Sequence, residues 1–317
     1  MAKAKKKHIT EAPPSPLSEK LQYDEVWISD IHLLSDYSDP RLLLEFLENS
    51  EIKKLRIIGD FIDIWHLQGR DHAKVPEMHA RVLDKILQMA EDGTDVLYVP
   101  GNHDEEFRTN GHFDTPVRQG EENPYQHSDD YLGEFHGITL KRKHIEESSD
   151  GKKTLFVHGD GFDPVLRKWI YEVGDRAYGV LMKANAALNG MVPDSRSHHY
   201  SIARAIKKGV KKGVKVKLAK IFGQEVGINI PGVIHNFEEK AAASARRYNV
   251  DRIACGHIHA PENRMISGIQ YVNTGDFVDH CSLFAFPAGG QEGQIVHWPR
   301  LRTELGFSRL PKKSDPK

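Results

Sequence analysis

The sequence predicts an α/β fold carrying a helical insertion, and two observations predict it. Short apolar runs alternate with amphipathic helical stretches from Asp24 to Asn102, and such runs return after Asp251. That alternation suits a sheet joined by crossover helices. Five of the apolar runs also end in a polar cluster of Gly, Asp, Asn or His. In α/β sheets, ligands bind in the crevice at the carboxyl ends of strands.

The elements follow in order. Residues 1–22 contain "MAKAKKKHITEAPPSPLSEK", basic like the start of a signal peptide but with no apolar core behind it. The Lys, Pro and Ser content reads as a disordered arm. "DEVWISD" (24–30) is the first strand. "PRLLLEFLEN" (40–49) has helical spacing with Pro in its first turn. "KKLRIIGD" (53–60) is the second strand. "EMHARVLDKILQMAEDG" (77–93) is an amphipathic helix, with Val82, Ile86, Leu87 and Ala90 on one side and Gly93 as its C-cap. "DVLYVPGN" is the third strand. "KTLFVHGD" (153–160), "DRIACGH" (251–257), "IQYVNTGD" (269–276) and "CSLFAFP" (281–287) are further strands, the later ones forming an antiparallel part. The main domain is thus expected over 23–162 and 249–300. Residues 163–248 form a helical insertion and 301–317 a tail.

Composition narrows the class. The 317 residues allow one large domain or two small ones. Net charge is -1, with 28% charged and 39% hydrophobic residues, an ordinary soluble balance without an overall field toward nucleic acid or membrane. Two cysteines, Cys255 and Cys281, suit a reducing compartment, so a cytoplasmic location is expected. No run reaches the roughly 18 apolar residues of a membrane span.

The five clusters are Asp30-Ile31-His32, Gly59-Asp60-Phe61-Ile62-Asp63, Gly101-Asn102-His103-Asp104, His158-Gly159-Asp160 and Gly256-His257-Ile258-His259. Singly, each reads as a polar turn or a hydrogen-bonded core histidine. Together they place carboxylates, an amide and imidazoles at five strand ends. These are ligands for borderline cations such as Mn, Fe, Co or Zn. Seven of them (Asp30, His32, Asp60, Asn102, His158, His257 and His259) are enough for two ions if one carboxylate is shared. Paired ions stabilise attacking and leaving oxygens at phosphorus.

The order D-x-H, G-D-x-x-D, G-N-H-D, H-G-D, G-H-x-H resembles the calcineurin-like metallophosphoesterase superfamily, over about Asp24 to Pro287 without the insertion. The resemblance implies a four-layer αββα sandwich and two divalent metal ions, manganese first among the candidates. It assigns Asp30, His32, Asp60 and His259 to one ion. Asp60, Asn102, His158 and His257 go to the other, with Asp60 bridging. It makes His103 the imidazole that faces the phosphate without binding metal, and Asp63 the carboxylate that holds the His103 ring. A non-catalytic scaffold would be expected to have lost one of these residues, and none is missing.

The substrate is less determined. Ser/Thr protein phosphatases of the superfamily carry Arg directly after G-D-x-x-D, where this chain has Ile64. "VHGDGFD", "CGHIHAPE" and "YVNTGDFVDHCS" are more similar to the bacterial UDP-2,3-diacylglucosamine diphosphatase family. That family implies a helical lid over acyl chains and release of UMP. Its best-known branch has Arg at the position of His103, so the resemblance is to the His-bearing branch. Trp169, Tyr178, Arg204 and Lys208 are the substrate or lid residues it suggests. From Arg196 to Lys220 the chain carries nine Lys/Arg and no Asp or Glu, opposite an Ile/Val/Leu stripe. Such a segment suits an anionic membrane surface, a phosphorylated substrate or a nucleic-acid backbone. Equally, the stripe packs on the domain and the lysines are a solvated face. His66, His72 and His79 receive no role from spacing.

Overall fold

Strand β1 (Leu21–Ile28), helix α1 (Arg41–Glu48), strand β2 (Ser50–Ile58), helix α2 (Glu77–Glu91) and strand β3 (Asp95–Val99) open the chain as successive parallel crossovers. They come from a computed structural model, which describes residues 17–35, 38, 40–64, 75–109, 113–114, 130–162 and 230–308. The remaining described elements begin with α3 (Glu106–Thr109), β4 (Phe113–Asp114), β5 (Tyr131–Phe135), β6 (Ile138–Lys141), β7 (His144–Glu147) and β8 (Lys153–Phe156). Then come α4 (Ile230–Arg247), β9 (Arg252–Cys255), β10 (Glu262–Ile266), β11 (Ile269–Asn273), β12 (Ser282–Pro287), β13 (Gln294–His297) and α5 (Trp298–Glu304).

Two mixed sheets result, one ordered β13-β12-β1-β2-β3-β6-β5-β4 and the other β10-β11-β9-β8-β7. Their central strands are parallel and the returning hairpin strands antiparallel. Strands covered on both faces must be apolar on both. Accordingly β1 and β2 finish in consecutive buried residues. Between the sheets lies an aromatic core, with Trp27 stacked on Phe284 at 4.7 Å and edge-on to Phe156 at 5.0 Å. Outside the larger sheet, Leu43, Phe46, Leu47, Val82, Ile86 and Trp298 bring α1, α2 and α5 onto its face. Outside the smaller sheet, Phe237, Ala241, Ala242 and Ala245 do the same for α4. This is the αββα layering the resemblance implies.

Three expected boundaries move. Strand β1 begins at Leu21, inside the expected arm, because it pairs with β2 from Ser50 onward. The expected tail begins inside α5, where Arg302 is buried and its Nη2 donates to Glu45 at 2.8 Å. The end of the expected insertion, α4, is a layer of the domain itself, its alanines letting the helix lie close on β9 and β11. Residues 163–229 lie outside the described residues, and with them Trp169, Tyr178, Arg204, Lys208 and the basic segment. No helix among the described residues is long and apolar enough to cross a membrane.

One buried ion network gives a stability prediction. Arg56 is buried on β2 and forks onto Glu146 of β7 (Nη2–Oε2 3.0 Å) and Asp95 of β3 (2.6 Å). Burial pushes the Glu146 carboxyl up, but His144 and Arg56 outweigh it and hold it at about 2. A depressed carboxylate contributes stability above its unfolded pKa and loses that contribution as pH falls through the folded one. Glu146→Gln is therefore expected to cost about 2–3 kcal/mol at pH 7. The deficit against wild type should shrink as pH falls from about 4.5 toward 2. Urea unfolding across that range measures it, and a deficit independent of pH contradicts it.

Candidate metal centre

Five strand ends meet at one place. Asp30 and His32 follow β1, Asp60 and Asp63 follow β2, and Asn102 and His103 follow β3; His158 follows β8, and His257 and His259 follow β9. The loops after β1 and β2 run side by side through Asp30 N–H to Gly59 O (3.0 Å) and His32 N–H to Asp60 O (2.8 Å). The loops after β8 and β9 are joined by Gly256 N–H to His158 O (3.0 Å). A Cβ on Gly101 would collide with the Asp60 carboxylate, and one on Gly256 with Asp30 and Ser29. Both glycines are therefore required by the close approach of these carboxylates to the backbone.

The expected ligands fall into two groups. In the first, His259 Nε2 is 3.2 Å from Asp30 Oδ1 and 3.3 Å from His32 Nε2. In the second, His158 Nε2 is 3.2 Å from Asp60 Oδ2 and 3.3 Å from Asn102 Oδ1, and His257 Nδ1 is 3.1 Å from the same amide oxygen. Asp60 Oδ2 faces both groups, being also 3.8 Å from His32 Nε2. Asp30, His32, Asp60, His158 and His259 are buried, while Asn102 and His257 are half-buried.

These spacings fit metal binding. Nitrogen and oxygen ligands sit about 2.0–2.2 Å from an ion such as zinc, so neighbours on one ion lie roughly 3.0–3.4 Å apart. The backbone agrees. Asp30, His32, Asp60, His257 and His259 all have φ between +49° and +69°. Left-handed φ is uncommon outside glycine and gathers at functional sites, where surrounding structure enforces it.

Charge balance agrees as well. Burial opposes ionisation of Asp60, yet His158, His103 and His32 hold its carboxyl well below the usual range. Burial likewise works against a charged His158, but Asp60 and Asp30 lift it to about 10. Burial and the neighbouring His158 push His257 down to about 4. The buried carboxylates are thus balanced by protons on imidazoles. A cation held by these residues would take over that role and release the protons.

His103 stands beside this set. Its Nδ1 is 3.3 Å from Asp63 Oδ1, and the other Asp63 oxygen is 3.4 Å from His32 Nδ1. Asp63, fully buried, therefore orients two imidazoles, where the resemblance implied one. Distance alone also groups His103 with His32 and Asp60 as possible ligands, so metal stoichiometry is what separates the two roles.

Three supporting residues, Asp104, Arg108 and Asp276, receive no role from the sequence patterns. Asp104 accepts from Phe61 N–H (2.8 Å), Gly101 N–H and the Tyr98 hydroxyl, tying the β2 and β3 loops. Arg108 forks onto Asp160 at 2.8 and 2.9 Å while its Nε donates to Pro100 O at 2.8 Å. Asp276 lies 3.6 Å from His259 Nδ1 and accepts from His280 Nδ1 at 2.6 Å. Asp104 and Arg108 act across distant parts of the chain, whereas Asp276 ties His259 to the nearby His280. His79, left without a role by spacing, accepts the Leu34 N–H at 2.9 Å.

A family model described as calcineurin-like phosphoesterase matches residues 26–261, well over half the chain. The chain belongs to that family. As a calcineurin-like phosphoesterase it is a hydrolase of phosphoester bonds, and its His/Asp groups suit the metal dependence of the family. Similar solved chains include a phosphoesterase from E. coli (13% identity, 86% of this chain and 98% of that chain covered, TM-score 0.34). Others are a novel archaeal phosphodiesterase (11%, 86% and 98%, 0.35) and vacuolar protein sorting 29 from Cryptosporidium parvum (12%, 86% and 96%, 0.36). At these scores they add nothing to the family assignment, which rests on the sequence match. No curated protein matches this chain.

Proposed function

We propose that this phosphoesterase cleaves the pyrophosphate of a lipid-linked nucleotide, UDP-2,3-diacylglucosamine or a close relative, giving UMP and a lipid sugar phosphate. The observation that carries phosphoester cleavage is the pair of ligand groups meeting at Asp60 Oδ2, with the His103 ring beside them. Asp30, His32, Asp60 and His259 hold one divalent ion in this reading, and Asp60, Asn102, His158 and His257 the other. Such ions supply Lewis acidity at phosphorus and to the attacking water, and manganese is the first candidate. In this reading Nδ1 of His103 turns to Asp63, and Nε2 serves the substrate, stabilising charge on the phosphoryl group and delivering a proton to the leaving oxygen.

Support for the lipid-linked substrate comes from sequence. "VHGDGFD", "CGHIHAPE" and "YVNTGDFVDHCS" are similar to the diphosphatase family. The Arg196–Lys220 segment pairs nine cations with an apolar stripe, suited to peripheral contact with an anionic inner membrane face. The same cations would equally grip a polynucleotide, which makes a soluble phosphodiesterase or nuclease the competing reading. A substrate panel run with Mn²⁺, then with chelator, separates them. The expected result is chelator-sensitive release of UMP from the diacylglucosamine nucleotide. Turnover of generic phosphodiesters or nucleic acid with none of that lipid overturns the substrate and leaves the reaction class standing.

A further inference from the structure

We propose that Phe237 positions the ligands of the Asp60–Asn102–His158–His257 group, holding the His257 ring by its face and His158 through the turn at Gly159. This inference rests on the metal-centre reading above.

Phe237 is buried on α4, the helix that covers the smaller sheet. Its ring lies nearly parallel to the His257 imidazole, with centroids 5.9 Å apart and planes at 22°. The same ring fills the place of a side chain at Gly159, the residue after His158. Gly159 has φ +111°, and a Cβ there would stand 2.7 Å from Phe237 Cζ. Phe162, at the end of the same turn, meets Phe237 edge-on at 5.8 Å. One side chain therefore touches both loops that carry imidazoles of this group, and it reaches them from the outer layer.

The other group is braced differently. His32 Nδ1 and His259 Nδ1 face the carboxylates of Asp63 and Asp276 at 3.4 and 3.6 Å. Carboxylates beside a ligating imidazole fix its orientation and raise its basicity. In the second group His158 Nδ1 faces a backbone carbonyl, Ile58 O, at 3.0 Å, and His257 is faced by a hydrocarbon ring. An aromatic face restricts rotation of the imidazole without adding charge. Its contribution is geometric, so its loss should be felt by one ion and not by the other.

The test is Mn²⁺ titration calorimetry on the full chain, with electron paramagnetic resonance to separate coupled ion pairs from isolated ions. Phe237→Leu keeps apolar volume and removes the flat face, and Phe237→Met fills the same space with a flexible chain. Both variants should bind one ion as wild type does and the other about 10–100-fold more weakly. At one equivalent of Mn²⁺ the signal of an isolated ion should then dominate. Ile266→Val, elsewhere in the same core, should lower the melting temperature and leave both affinities alone. Unchanged affinities in both Phe237 variants, an equal loss at both ions, or the same loss in Ile266→Val overturns the inference. A wild type that fails to bind two ions overturns instead the metal-centre reading beneath it.

Discussion

His103→Ala should lower turnover by about 10²–10⁴-fold and leave two metal ions bound. The magnitude is that of a general acid removed from a site whose other parts are intact. His103 is well placed for the role. It is buried, its backbone N–H donates to Asp60 Oδ1 at 2.8 Å, and its Nδ1 faces Asp63 Oδ1 at 3.3 Å. Burial disfavours its charged form, but Asp60 and Asp63 raise its pKa above the ordinary value. Because the backbone contact to Asp60 survives truncation to alanine, the loop and its neighbour Asn102 keep their place. Steady-state kinetics with equilibrium dialysis of Mn²⁺ checks both halves. Loss of one ion in the variant would make His103 a ligand, as the His32–Asp60–His103 grouping allows, and would contradict the assignment.

The convergence of the five clusters is legible because each follows a strand that the hydrophobic pattern marks. Once β1, β2, β3, β8 and β9 are parallel neighbours in two facing sheets, their carboxyl ends can only converge, so the order of motifs predicts the centre. The supporting residues were not legible for the opposite reason. Asp104 reads as one more turn residue, yet it joins loops 43 residues apart in sequence. Arg108 and Asp160, 52 residues apart, meet only after the sheets stack. Phe237 reads as an apolar residue on a helix, and nothing in its periodicity says that it faces an imidazole. Among the elements, the strongly periodic α1 and α2 match their expected spans closely. The short strands β5, β6, β7, β10 and β13 carry too little apolar patterning to be separated from loops. Helix α4 falls within the expected insertion because its core face carries, besides Phe237, alanines, which sequence patterning weighs lightly.

Asp60→Asn should remove high-affinity binding of both ions and reduce turnover by roughly 10⁴-fold or more, since metal charge stabilisation is worth several kcal/mol in the transition state. The shared position of Asp60 makes this effect larger than that of any other single ligand. Its Oδ2 serves the second group at 3.2 Å and faces the first at 3.8 Å, so one substitution weakens both. The amide keeps the shape and can keep the Oδ1 contact to the His103 N–H, which limits the change to charge and ligand strength. That charge is also what balances the buried imidazoles. Without it, burial dominates at His158, whose pKa should fall from about 10. The metal-free variant should therefore carry fewer protons near neutral pH and release fewer when Mn²⁺ is added. Binding to the native state alone stabilises it by about 2.7 kcal/mol at a hundredfold excess over Kd. Mn²⁺ should then raise the melting temperature of wild type and barely move that of Asp60→Asn, with chelator erasing the difference. A variant that still takes up two ions at wild-type affinity would contradict the shared carboxylate. It would leave two independent sites in its place, each completed by its own histidines.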